Sequence, residues 1–429
     1  MKPAEDGGDL SIGIPFLGGN GDNKEAEYQL RRRHSVSGST SFFKTCFNGL
    51  NALSGVGILS VPYALSSGGW WSLTLLFLIA GCTYYTSLLI QRCMDSDTNI
   101  RSYPDIGERA FGAKGRMIVS VAMNVELYLV ATGFLILEGD NLHNLVPGLG
   151  GGGGDFITGK QAFTLIVGLV VLPTVWVDNM AILSYISATG VVASFVLIAS
   201  ILWSAVFDGI GFHQQGTLLN TRGIPTAISL YAFCYCAHPV FPTLYTSMRD
   251  QKKFSKVLLV CFVVCTVSYA SMAVLGYMMF GSSVQSQVTL NLPTNKISSK
   301  VAIYTTLVNP LAKYALMVSP LVNALERRFL VRRSRGLSVL IRTLLVGSTI
   351  FVALAVPFFG YLMSLVGAFL SVTASVILPC LCYVKISGIY VRFGGELMVL
   401  CGIVVVGGVV LVIGTYTALL EIVDHLIAS

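Results

Sequence analysis

After residue 40 the chain alternates long apolar runs with short polar connections. A helix that crosses the hydrocarbon core of a bilayer needs about 20 predominantly apolar residues. Runs of this kind predict eleven membrane-spanning helices, numbered here in chain order as spans 1 to 11: 42–66, 70–92, 117–144, 161–177, 181–206, 223–247, 256–280, 300–325, 338–357, 359–384 and 396–420. The pattern therefore predicts an all-α polytopic membrane protein.

Composition narrows the class of protein further. Only 11% of the residues are charged and 54% are hydrophobic, whereas soluble domains carry about 25% charged residues. The net charge of +7 lies in short clusters between apolar runs and forms no continuous stripe, so we expect no nucleic-acid partner. The ten cysteines show no zinc-site spacing and are interpreted as small core residues, so we expect no metal and no cofactor. No catalytic constellation on polar loops is present, which argues against an enzyme.

The distribution of lysine and arginine predicts the orientation of the chain. If the N-terminus is cytoplasmic, 23 of these residues fall on the cytoplasmic side and 4 on the opposite side. Such a bias indicates a cytoplasmic N-terminus, and eleven spans then place the C-terminus on the lumenal side. Residues 1–40 are polar and are expected to form a disordered cytoplasmic tail. Ser35 follows a run of arginines, which is either a basic membrane flank or a kinase site.

Two spans carry residues that interrupt helices. Span 1 contains Ser54-Gly55-Val56-Gly57 at mid-span, and glycine tolerates backbone conformations that other residues resist. Span 6 contains Pro239 close to its middle, where proline removes a donor and clashes with the preceding turn. We expect both helices to be broken, although close helix packing in span 1 and a simple kink in span 6 are the alternatives.

The two interrupted spans occupy matching positions in the chain. Spans 1 and 6 each open a block of five helices, residues 41–206 and 223–384, and the blocks run through the membrane in opposite directions. Residues 393–429 would add span 11 and the lumenal C-terminus. This pattern is typical of inverted-repeat transporters with a substrate site near the midplane. Free N–H groups starting near Ile58 would attract a carboxylate and opposing carbonyl groups an ammonium, which suits a zwitterion.

Four motifs of the sequence resemble the amino acid/auxin permease family, most closely its plant vacuolar amino acid transporter branch. They lie at residues 51–65, 103–112, 137–142 and 309–315. The resemblance implies a LeuT-like ten-helix core plus an eleventh helix, and secondary active transport of amino acids coupled to protons. It also implies a vacuolar (tonoplast) or other endomembrane location. By position, the substrate-binding residues would be Ser54, Gly55, Val56, Gly57, Ile58, Phe233, Tyr235 and Cys236.

Ionisable residues inside spans are costly and mark functional sites. Lys313 in span 8 would place its ammonium where sodium-coupled relatives hold a sodium ion, against the unwound carbonyls of span 1; a snorkelling or structurally paired lysine is the alternative. Glu126 in span 3 would be the proton carrier, the counter-ion of Lys313, or a structural hydrogen-bond acceptor. Asn51 and Asn309 complete the predicted ion-coupling set.

Three further ionisable residues are less informative. Glu138 and Asp140, near the outer end of span 3, suit a gate or a solvated vestibule. His238 beside the break of span 6 is interpreted as structural.

The expected partners are an amino acid substrate, protons and the lipid bilayer. Two other functions of the same fold stay open, namely a sodium-coupled amino acid carrier and a receptor that senses amino acids without moving much of them.

Overall fold

The computed structural model describes residues 40–147, 158–176, 180–212, 214–328, 335–391 and 394–428. These residues are almost entirely helical, and the extended pairing among them is an isolated bridge between Thr40 and Met248. The α-helices are α1 Phe42–Leu53, α2 Gly57–Gly68, α3 Ser72–Ser96, α4 Tyr103–Leu145, α5 Gly159–Trp176, α6 Met180–Val206, α7 Ile224–Cys234, α8 Phe241–Ser247, α9 Phe254–Phe280, α10 Ile297–Arg328, α11 Arg335–Ala355, α12 Phe359–Leu365, α13 Leu378–Ser387 and α14 Gly395–Ala428. Two π-helical segments, Val366–Ser371 and Thr373–Ile377, connect α12 to α13.

Within the described part of the chain, nine helices are long and apolar enough to cross a membrane. The pair α1 and α2, bent by 50°, adds a tenth when it is taken as one span. Gly190–Val206, within α6, is a shorter apolar helix. The all-helical membrane architecture is therefore confirmed, while the count of eleven spans stays a prediction.

The helices divide into a buried centre and a lipid-facing rim. The broken span Thr221–Ser247 has 67% of its most apolar stretch buried, whereas α11 has 22% and α14 has 17%. Around the centre, α2 packs against α7 and α9, and α6 packs against α10 and α1. The two interrupted helices thus lie inside the bundle, where protein can satisfy the backbone groups that a break exposes.

The segment α4 consists of two helical stretches that meet at Gly112, whose φ of 67° and ψ of −158° are not helical. The chain bends sharply there, because a β-carbon on Gly107 would lie 2.7 Å from the Gly115 carbonyl oxygen. The second stretch, which ends at Leu145, contains the predicted span 117–144, whereas the first, which begins at Tyr103, lies outside it. Ser102 and Asp105 form a capping box at its start, which satisfies backbone donors that the first turn leaves free. The polar first turns escaped the prediction because they lack the apolar run of a spanning segment.

Contacts between connections define two faces of the bundle. On the face that bears the start of α1, the Thr40 N–H donates to the Ser247 carbonyl at 3.0 Å and the Arg249 N–H donates to the Thr40 carbonyl at 3.0 Å. We call this the inner face. On the opposite, outer face, Trp70 Nε1 donates to the Gln215 carbonyl at 2.9 Å. The inner ends of the two broken spans are therefore tied to each other through residue 40.

Candidate functional site

The first break separates α1 from α2 at the sequence that predicted it. Helix α1 ends at Leu53, Ser54 leaves helical geometry with ψ 76°, and α2 begins at Gly57. The Gly55 N–H turns back to the Leu53 carbonyl at 2.8 Å. A break of this kind leaves the last carbonyls of α1 and the first N–H groups of α2 without partners inside their own helices.

The second break separates α7 from α8. Helix α7 ends at Cys234, Tyr235 and Ala237 have φ values of −111° and −97°, and a short 3₁₀ turn, His238–Val240, leads into α8. Pro239 lies in this turn, where its missing N–H prevents α7 from continuing. The prediction of two interrupted helices agrees with these geometries.

The two breaks are in direct contact. A β-carbon on Gly57 would lie 2.8 Å from Cys234 Sγ and 3.3 Å from its Cα, so glycine is the residue that allows α2 and α7 to approach this closely. Tyr269 of α9 joins them from the side, because its hydroxyl lies 2.5 Å from the Leu53 carbonyl and 3.3 Å from the Cys234 carbonyl. One side chain thus contacts the terminal carbonyl of both broken helices.

Lys313 lies at the end of α1. Its Nζ donates to the carbonyl of Asn51 at 3.2 Å and to that of Ser54 at 3.1 Å, and the residue is only 4% exposed. The C-terminus of a helix carries partial negative charge and free carbonyls, both of which favour a cation. The structure therefore places the ammonium of α10 against the unwound segment of span 1.

Small polar residues surround the first break on its other side. Ser54 Oγ lies 2.6 Å from Ser194 Oγ of α6, and the side-chain oxygen of Asn51 is buried without a hydrogen-bond partner in the described structure. A cavity of about 20 Å³ lies between the break, α6 and α10, with Asn309 in its wall. It has room for a water molecule but not for an amino acid.

The predicted substrate-binding residues of span 6 take three different positions. Tyr235 turns towards α9, where its hydroxyl lies 2.9 Å from Thr266 Oγ1 and its ring stacks on Phe262 at 5.8 Å. Phe233 is buried and packs beside Gly367 of the π-helical segment. Cys236, by contrast, is half-buried at the break.

The residues predicted for span 1 stay together. Ser54, Gly55, Val56, Gly57 and Ile58 form the break itself and the first turn of α2.

Glu126 lies near the second break rather than near Lys313. Its Oε1 accepts a hydrogen bond of 2.7 Å from Ser371 Oγ in the first π-helical segment, and the residue is 4% exposed. In the described part of the chain no ion pair joins Glu126 to Lys313, whose ammonium donates to backbone carbonyls. Of the three roles considered for Glu126, the geometry shows a hydrogen-bond acceptor and does not show a counter-ion.

A second polar network surrounds the outer end of α4. Asp140 accepts from Gln287 Nε2 at 3.0 Å and pairs with Lys160 at 3.1 Å, while Asn141 bonds to both Gln287 and Thr289. The carboxylate of Glu138 is buried, and its two oxygens have no partner among the described residues.

His238, at the second break, packs inside the bundle. Its Nε2 lies within hydrogen-bonding distance of Thr86 and Ser87 of α3. These contacts match the structural interpretation of this histidine.

Three residues at these breaks were missed by sequence reasoning: Tyr269, Ser194 and Ser371. Each meets a break through a contact between distant spans, and none stands in a motif that local pattern could identify. The clearest local signal is the serine and glycine content of the 364–375 region, which accompanies a π-helix, a form of helix often found at functional sites.

Comparison with solved structures identifies the class of fold. A structure of MhsT in complex with L-phenylalanine has a TM-score of 0.50 at 10% identity and covers 87% of this chain and 98% of its own. A substrate-bound, Na⁺-coupled sialic acid symporter has a TM-score of 0.52 at 11% identity, covering 88% and 89%. The chain therefore has the LeuT-like fold of helical membrane transporters, with its paired broken helices.

Sequence comparison identifies the family within that class. The family described as transmembrane amino acid transporter protein matches residues 38–420, and the chain belongs to it. Among its relatives is amino acid transporter AVT1I of Arabidopsis thaliana, 60% identical over 402 residues, which cover 93% of this chain and 99% of the relative. The family is one of transporters and not of enzymes, as the sequence predicted.

Proposed function

We propose that this protein is a proton-coupled secondary transporter that carries amino acids by alternating access around the space between its two breaks. Family membership supports amino acids as the cargo. The first N–H groups of α2, at Val56 to Ile58, suit a carboxylate, and the terminal carbonyls of α1 and α7 suit an ammonium. A site with both polarities fits the group that all α-amino acids share.

The two breaks touch each other in this conformation. Gly57 and Cys234 are in contact, and the nearby cavity has room only for water. We therefore expect the helices around the breaks to rearrange when an amino acid binds between them. Rocking of one repeat or helix bundle against the other around a fixed site is the expected behaviour of this architecture.

The main observation in support of proton coupling is the position of Lys313. Its ammonium bridges the Asn51 and Ser54 carbonyls, so the geometry of the first break depends on whether this nitrogen is charged. A buried ammonium is tolerated only with acceptors in place. Loss of its proton would weaken both contacts and release the end of α1, which links protonation to the opening of the substrate site.

Glu126 is the second proposed coupling group. It is buried against Ser371 and beside Cys236 of the second break. A proton on Glu126 would change which partner donates in the bond to Ser371. Each break would then have its own titratable neighbour, Lys313 at the first and Glu126 at the second. Asn51 and Asn309 would line the proposed proton path between α1 and α10.

We further propose a vacuolar or other endomembrane location, with the N-terminus in the cytoplasm and the C-terminus in the lumen. The resemblance to the plant vacuolar branch supports the location, and the excess of lysine and arginine on the inner side supports the orientation.

A sodium-coupled carrier is the main competing function, because a solved structure of the same fold is described as Na⁺-coupled. Sodium binding needs a cage of oxygen ligands. Here the carbonyls of Asn51 and Ser54 already accept from Lys313, and a second cation beside the ammonium would be repelled. An amino-acid receptor of the same fold would bind substrate but exchange little of it.

Transport by the purified full chain in proteoliposomes tests the proposal. A panel of labelled amino acids is supplied under an imposed pH gradient with sodium replaced by choline, and counterflow is measured without any gradient. We expect gradient-driven uptake in choline and exchange in counterflow. Uptake that requires sodium and does not respond to the pH gradient would show that sodium, and not the proton, is the coupling ion. Binding of substrate without counterflow would identify a receptor.

A further inference from the structure

A groove of about 740 Å³ lies between the outer ends of α6 and α10. Val196, Ala199 and Trp203 form its α6 wall, and Val301 lies on the α10 side. All four are exposed on the outside of the bundle, where the neighbouring medium is the bilayer. The groove is separate from the two breaks.

Polar residues close the outer end of the groove. Asn295 and Lys296, before the first turn of α10, and Asp208, after α6, share this end. Asp208 accepts a hydrogen bond from Ser298, and no ion pair of Lys296 is found in the described part of the chain. An exposed positive charge, Lys296, and a half-buried negative charge, Asp208, therefore lie together at the end of an apolar groove.

The aromatic residues of α6 place this end at the membrane surface. Trp203 and Phe207 are 55% and 66% exposed, and their ring centroids are 4.4 Å apart. Exposed tryptophan at the end of a spanning helix is typical of the level of lipid headgroups. The charged end thus lies at headgroup depth and the apolar walls at the depth of acyl chains.

We propose that this groove binds a phospholipid with an ethanolamine headgroup. The lipid phosphate pairs with Lys296, with the amide of Asn295 beside it, and the lipid ammonium donates to Asp208. One acyl chain lies along Val196, Ala199 and Val301. A choline headgroup has no N–H to donate to Asp208, and a glycerol headgroup has no cation, so each satisfies only part of the site.

The lipid would contact the same two helices that line the small cavity at the first break. Val196 is adjacent to Leu197, and Val301 is one turn from Thr305. An occupant of the groove therefore contacts α6 and α10 directly outside the cavity.

Thermal unfolding of the delipidated full chain in detergent tests the proposal, with phosphatidylethanolamine, phosphatidylcholine or phosphatidylglycerol added back. We expect the ethanolamine lipid to raise the unfolding midpoint most. Lys296→Gln and Asp208→Asn should each lower its apparent affinity by up to ~5-fold, as expected for an exposed charge pair. Lys300→Gln, an exposed charge near the same end that does not line the groove, is the matched control and should change nothing.

A second variant leaves the charges unchanged. Ala199→Trp fills the apolar wall at an exposed position, so folding should persist while retention of ethanolamine lipid in native mass spectrometry falls. Equal midpoint shifts for all three lipids would overturn the proposal. So would an unchanged preference in Lys296→Gln and Asp208→Asn, or full lipid retention in Ala199→Trp.

Discussion

Replacement of Lys313 separates its structural role from its proposed coupling role. Methionine keeps a long, unbranched apolar side chain but has no donor for the two carbonyls. Glutamine keeps an N–H donor but no charge. We expect both variants to lose the response to an imposed pH gradient, and the glutamine variant to keep the first break closer to its native geometry.

The size of the stability change follows from the two contacts at 3.2 and 3.1 Å. Leaving a buried carbonyl unpaired costs about 1–3 kcal/mol, so two of them cost about 2–6 kcal/mol. Removing the ammonium also removes its desolvation penalty, which is itself several kcal/mol. We therefore expect Lys313→Met to lose about 1–3 kcal/mol of unfolding free energy and Lys313→Gln about half of that.

Two assays on the same proteoliposomes separate substrate exchange from coupling to the pH gradient. Counterflow of labelled amino acid reports binding and exchange, and uptake under a pH gradient reports coupling. In both variants we expect counterflow to persist and gradient-driven uptake to fall to the level seen without a gradient. Lys300→Gln serves as the control for loss of an exposed lysine. Gradient-driven uptake at the wild-type level in Lys313→Gln would refute the coupling role of Lys313.

Three further predictions concern the breaks. Tyr269→Phe removes the hydroxyl that both breaks share while keeping the ring, and should lower the unfolding free energy by about 1–2 kcal/mol and slow exchange. Gly57→Ala forces a β-carbon against Cys234 and should cost about 1–3 kcal/mol, measured as a lower thermal midpoint. Glu126→Gln keeps an acceptor for its serine but cannot release a proton, so uptake should lose its dependence on the pH gradient while counterflow persists.

Matched controls accompany these variants. Tyr416→Phe removes a hydroxyl from an exposed tyrosine of α14 and should leave stability and exchange unchanged. Gly347→Ala adds a β-carbon where nothing lies within 4 Å and should be neutral or slightly stabilising, because alanine is the better helix former. Stability equal to wild type in Tyr269→Phe or Gly57→Ala would contradict the contacts assigned to the breaks.

The helical architecture and the two breaks could be predicted from sequence because their causes are local. Apolar runs determine where spans lie, and glycines near Gly55 and a proline at Pro239 determine where two of them stop. Lys313 could also be placed, since a charge inside a span has few tolerable positions. The first stretch of α4, before Gly112, could not, because it is polar and lacks the apolar run of a spanning segment.

The contacts between spans could not be predicted in the same way. Tyr269 is one of 18 tyrosines, and nothing near it in sequence indicates that its hydroxyl reaches two breaks. Tyr235 stands beside a break, which favoured a place in the substrate site, yet its ring turns to Phe262 because α9 offers it a stacking partner and a hydroxyl. Side-chain direction at a break depends on which helix packs there, and a single sequence does not contain that information.

The hydroxyl of Tyr269 has a single hydrogen, yet two main-chain oxygens lie within its reach, at Leu53 and at Cys234. At any instant it can serve one of them fully and must neglect the other. The Leu53 carbonyl also accepts from the Gly55 N–H, so the hydroxyl can move to the Cys234 carbonyl without leaving Leu53 unpaired. The two interrupted helices are thus joined by a hydrogen bond that can shift from one helix end to the other, which a movement of either end during transport would require.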